Sequence, residues 1–118
     1  MVMRIRLGCR LSFALPARTP MILLLNVHYS RASDLERPDL LVTDPAVPVE
    51  AYRDGFGNWC SRLVAPAGSM TVAVDGVLRD AGLSDPVDQS AEQHPVEHLP
   101  SDALTYLLPS RYCESDVL

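Results

Sequence analysis

Residues 3–13 alternate with a period of two. Met3, Ile5, Leu7, Cys9, Leu11 and Phe13 fall on one side; Arg4, Arg6, Gly8, Arg10 and Ser12 fall on the other. Side chains of a strand point alternately to its two faces, whereas a helix would scatter these arginines into its apolar side. The pattern predicts a long, half-buried strand with Cys9 as a small core residue. Pro16 to Pro20 marks a turn. Residues 21–29 begin as a nearly continuous apolar run, which predicts a central or doubly covered strand. Residues 30–39 are polar and end near Pro38, as a loop does. Short strands are expected at 40–43 and 47–52, with Pro48 pointing to an edge or a bulge. Residues 59–64 and 69–77 read as two more strands, the last with Met70, Val72 and Val74 inward. Turn signals separate all of these. The expected fold is therefore mainly β, an antiparallel β-sandwich of about six to seven strands over residues 1–79.

The character changes at Arg79. Residues 80–100 hold Pro86, Pro95 and Pro100, several acids and little periodicity, as an extended linker would. Ser101 and Asp102 look like a helix start, with Leu104, Leu107 and Leu108 on one face and Pro109 as its stop. Ser115 is a further candidate N-cap. Residues 101–118 are thus a short helical connector.

Between two of the strands lies Asp54-Gly55-Phe56-Gly57-Asn58. Glycine accepts a positive φ, and Asp and Asn tolerate tight turns, so this reads as a structured hairpin connection. Asp54 is the most constrained carboxylate, and its expected role is to accept backbone N–H bonds and hold the turn.

Composition narrows the function more than it defines it. The 118 residues suit one domain, and the net charge of −5 argues against nucleic acid, which needs clustered base. Arg4, Arg6, Arg10, Arg18 and Arg31 precede any acid, and Asp80 to Asp102 contains no Lys or Arg. The later acids either lie on the basic strands or form a solvated linker; the second is the simpler reading. Cys9, Cys60 and Cys113 make an odd set without CxxC spacing, so a reducing, cytoplasmic setting is expected. No apolar run approaches the length of a membrane span, and the basic residues near the N-terminus are separated from Met21 to Leu25 by prolines, unlike a signal peptide.

No catalytic constellation stands out. Cys60 is out of phase with Trp59, Ser61 and Leu63, so it faces the other side of its strand, either exposed and reactive or passive. A thiol nucleophile needs an adjacent base. His94 and His98 are four apart, but Pro95 lies between them, and they do not form a zinc motif. His28 is expected to be structural. Phe56 and Trp59 suit core or interface packing better than an open patch. No metal and no cofactor are expected.

Several segments together resemble the N-terminal domain of bacterial transglutaminase-like proteins, relatives of papain-like cysteine proteases. They are the opening Met3-Arg4-Ile5-Arg6, the Pro16 to Leu25 stretch, the Asp54-Gly55-Phe56-Gly57-Asn58 turn, the strand at 72–77, and residues 107–116 around Ser110-Arg111-Tyr112-Cys113. The chain departs from that family at Ser12, Phe13, Ala14 and Leu15, where aromatics are usual. The resemblance implies a β-sandwich without catalytic residues, with Ser110, Arg111, Tyr112 and Cys113 leading towards a catalytic domain that carries the Cys, His and Asp. The implied partner is that downstream domain, with self-association when it is missing, and no nucleic acid or membrane. Two other readings stay open: a stand-alone sandwich that binds protein or peptide at an edge strand, and a small thiol hydrolase using Cys60 with a histidine brought close by the fold.

Overall fold

A computed structural model describes residues 2–117. The chain divides after Ser84 into two compact units.

The first unit is built from seven antiparallel strands, β1 Met3–Leu15, β2 Thr19–Leu23, β3 Leu35–Arg37, β4 Val42–Asp44, β5 Val49–Arg53, β6 Trp59–Ala65 and β7 Gly68–Asp80. They form two sheets. In one, β7 is central, with β1 on one side and β3 and β4 on the other; in the second, β6 lies between β2 and β5. β1 and β7 pair along their whole length, from Met3 opposite Asp80 to Leu15 opposite Gly68. That register puts Ile5, Leu7, Cys9, Leu11 and Phe13 on the same face as Leu78, Gly76, Val74, Val72 and Met70, because directly opposed residues share a face. The core is where this face meets β6: Leu63 and Ala65 pack with Met70 and Val72, flanked by Phe13, Leu15, Met21 and Leu23. The mainly β, sandwich-like architecture is thus the one that the alternation predicts.

Besides the expected loop at 30–39, part of which pairs with β7 as β3, neighbouring strands changed three local expectations. The second strand stops at Leu23, and residues 29–34 form a 3₁₀ helix with His28 as its N-cap. β2 is also an edge strand and not a central one, so Ile22 is exposed. Pro20, which has no N–H to give a ladder, is at home on such an edge. Third, β1 keeps its alternation but occupies the other sheet's edge. Cys9 is consequently exposed and not a core residue, and Met3, Ile5 and Leu11 are about two-fifths exposed.

Two arginines of the polar face of β1 are paired within their own sheet. Arg4 meets Glu36 at 2.6 Å and Arg6 meets Asp75 at 2.9 Å, and Arg37 reaches the same Asp75 at 2.9 Å. These pairs are solvent-exposed, so each contributes little to stability. Their contribution is to blunt an edge that would otherwise invite non-specific pairing.

In the second unit, the expected helix is a 3₁₀ helix, Ser101–Leu107, ending at Leu108 before Pro109. Its N-cap is Pro100, and neither Ser101 nor Asp102 caps it. Residues 110–113 close a tight turn in which Ser110 and Cys113 exchange backbone bonds of 3.0 and 3.2 Å. A last 3₁₀ turn spans Ser115–Val117; the Ser115 side chain, a candidate cap, lies outside the described ones. Among the described residues no helix is long and apolar enough to cross a membrane.

Candidate functional site

β5 and β6 pair in a register that sets Tyr52 opposite Cys60 and Arg53 opposite Trp59, leaving residues 54–58 as the loop of the hairpin. Asp54 organises it. Its Oδ1 accepts the backbone N–H groups of Phe56 and Asn58, both at 2.9 Å, and its Oδ2 accepts the Asn58 side-chain amide at 3.0 Å. Two backbone bonds complete the turn, Asp54 N–H to Asn58 O and Gly57 N–H to Asp54 O, each 3.1 Å. A short carboxylate facing donors two and four residues ahead is what makes Asp a turn former.

These donors favour the charged form of Asp54. The Asn58 amide is the largest influence holding its carboxyl below the ordinary range, and the backbone N–H groups add to it against some desolvation. The unfolded chain has the higher pKa, so it binds more protons as the pH falls. The stabilisation is complete above the unfolded carboxyl's pKa and is lost as pH falls through the folded one. Asp75, Asp80 and Asp88 are shifted in the same direction. The share of Asp54 therefore needs a difference measurement. Urea midpoints compared between wild type and Asp54→Asn from pH 6 downwards should show a shallower acid loss in the variant. Parallel curves would show that the turn carboxylate carries none of it.

A strap from the first sheet's side clamps the turn. His28 Nε2–H donates to Phe56 O at 2.6 Å, and the same ring accepts the Ser30 N–H on Nδ1 at 3.3 Å, which assigns the tautomer. Tyr29 N–H reaches Gly57 O at 3.2 Å. The Arg53 guanidinium stands 5.0 Å from the centre of the Tyr29 ring, a cation–π distance.

Beside the turn is a cleft of about 220 Å³, lined by Asn26, Tyr29, Asp39, Leu40, Arg53 and Trp59 among others. Its polar side is built by an interlock between two loops. Asp39 is 7% exposed; its Oδ2 accepts the Val27 N–H at 2.7 Å, and its carbonyl accepts the Asn26 side-chain amide. Asn26 Oδ1 is buried with no hydrogen-bond partner among the described residues. Gly76 on β7 permits this approach, since a Cβ there would stand 2.8 Å from that of Asp39.

The thiols are far from catalytic geometry. Cys60 is buried on the outer face of its sheet, not exposed, and its sulfur lies 3.9 Å from both Asp54 Oδ2 and Asn58 O. Both are acceptors, so Cys60 is a weak, long-range donor to a carboxylate and a carbonyl, and neither hydrogen bond is to a histidine. Burial and the Cys60 thiol push the neighbouring Tyr52 phenol up. Cys9 and Cys113 are exposed free thiols. Ser110, Arg111 and Tyr112 are exposed in the 110–113 turn, as are His94 and His98 in the second unit. Among the described residues no group of three or more His, Cys, Asp or Glu side chains could hold a metal ion. The turn residues were legible from their types. The cleft was not, because Asn26, Asp39, Arg53 and Trp59 form no motif and meet only through the pairing of β5 with β6 and the interlock of two loops.

No family description and no curated protein matches the chain. The fold does find a counterpart. It is similar to a crystal structure described as "a Putative Cysteine Protease from Cytophaga hutchinsonii", with 22% identity and a TM-score of 0.63 over 100% of this chain. The likeness is one of fold. It covers 43% of the other chain, so this chain spans less than half the length of that protein.

Proposed function

We propose that this chain is a non-catalytic accessory domain of a larger cysteine-dependent enzyme of the transglutaminase-like type. The observation that carries the reading is that its whole length matches a 43% portion of a protein described as "a Putative Cysteine Protease". The thiols fit: Cys60 is buried, and its two 3.9 Å hydrogen bonds go to Asp54 and to a backbone carbonyl and not to a histidine of a Cys–His pair. In this reading the catalytic thiolate attacks an amide carbonyl from a following domain. The sandwich packs on that domain and shapes a wall of its cleft, and Ser110, Arg111, Tyr112 and Cys113 lead the chain into it. Leu104, Leu107, Leu108 and Tyr112 are exposed, and a following domain would cover them. Without it they would drive self-association.

One comparison tests the reading. The coding frame is read past Leu118, and the 118-residue protein is set against the extended one for thiol-dependent amide cleavage or transfer and for sedimentation. The short protein is expected to be inactive and to associate with rising concentration; the extended one is expected to be active and monomeric. A stop codon directly after Leu118, or alkylation-sensitive turnover by the short protein, would sink the proposal. A stop codon would favour peptide binding by strand addition. β1 supports that second reading, because it is thirteen residues long and paired on one side only.

A further inference from the structure

We infer that the cleft beside the Asp54 turn is a peptide-binding site, which takes an aliphatic side chain followed by a carboxylate from an extended segment of a partner protein. Two observations converge on it. At about 220 Å³ the cleft is smaller than the roughly 300–1,000 Å³ of sites for drug-sized ligands and cofactors, and suits one side chain. Its walls include Tyr29, Leu40 and Trp59, which are 52%, 73% and 40% exposed. Large apolar groups left open around a concavity mark a binding site more often than scattered ones do.

The second observation is Arg53. Seven ion pairs engage other arginines, but Arg53 makes none with a described residue. It is instead held over Tyr29, at the cleft wall. A guanidinium so placed selects a carboxylate and disfavours a cationic ligand. A peptide supplies the apolar side chain and the carboxylate on one short backbone, whereas a lone anion supplies only the last. The inference does not depend on a following catalytic domain.

The test is a titration of isotope-labelled protein with the blocked tetrapeptide acetyl-Ala-Leu-Asp-Ala-amide, followed by amide and indole chemical shifts. Saturable shifts are expected at Tyr29, Leu40, Gly57 and the Trp59 indole, with weak affinity. Arg53→Gln, and separately an Asn-for-Asp peptide, should each weaken binding about three- to five-fold, the range of an exposed charge pair. Leu40→Ser and a Ser-for-Leu peptide should weaken it further. Leu40 and Arg53 are exposed, so unchanged spectra elsewhere will show that the variants fold. Four results would each overturn the inference. One is no saturable shift up to about 10 mM, below an affinity worth roughly 3 kcal/mol. Another is binding indifferent to Arg53→Gln. The third is the same shifts from acetate alone, which would make this an anion site. The last is shifts that grow with protein concentration without peptide, which would make the occupant a second copy.

Discussion

Gly57→Val should destabilise the sandwich by about 2–4 kcal/mol, the sum of left-handed backbone strain and a steric clash. Gly57 has a φ of +84°, where a β-branched residue is a true outlier. A Cβ there would also stand 2.2 Å from Tyr29 Cδ1 and 2.6 Å from His28 Nε2. Neither ring can retreat freely. His28 is bonded to Phe56 O and to Ser30, and Tyr29 carries the backbone bond to Gly57 itself. The substitution therefore breaks the clamp between the 28–29 strap and the hairpin. The urea midpoint should fall while the slope stays constant. Gly55→Ala is the internal control. Nothing lies within 4 Å of a Cβ at Gly55, so its cost should stay within about 0.5 kcal/mol. Equal effects at the two glycines would show that the clamp is not what holds the turn.

Met70→Ala should cost about 2–5 kcal/mol, the usual range for removing a large buried side chain. Met70 is 1% exposed and lies where the two sheets meet, packed with Leu63, Ala65 and Val72. A domain of this size has about 5–15 kcal/mol of stability in total, so this one change removes a large share. Ile22→Ala on the edge strand β2 is the comparison, since Ile22 is 58% exposed and should be nearly neutral. Thermal or urea unfolding gives both values. A loss below about 1 kcal/mol at Met70 would mean that the core is not closed between the sheets as described.

How far the sequence could be read followed the range of each interaction. The faces of β1 and β7 were legible because side-chain alternation is a local property of an extended backbone. Cys9 shows the boundary. Its face was right and its burial was not, since only pairing order places β1 at an edge. Residues 24–34 mark a second limit. An apolar run predicted continued strand, but the loops carrying Asn26 and Asp39 interlock twelve or thirteen residues apart. His28 meanwhile starts a 3₁₀ helix.

The sequence by itself determined the class of the fold, the inward faces of its long strands, and the turn at residues 54–58 with Asp54 as its organiser. Period-two alternation and the conformational freedom of Gly, Asp and Asn act over a few residues, and so are written locally. Tertiary structure alone decided which strands are central, that Cys60 is sealed beneath the turn, and that Asn26, Asp39, Arg53 and Trp59 share one cleft. Those outcomes depend on strand order and on contacts between distant segments, which no local pattern encodes.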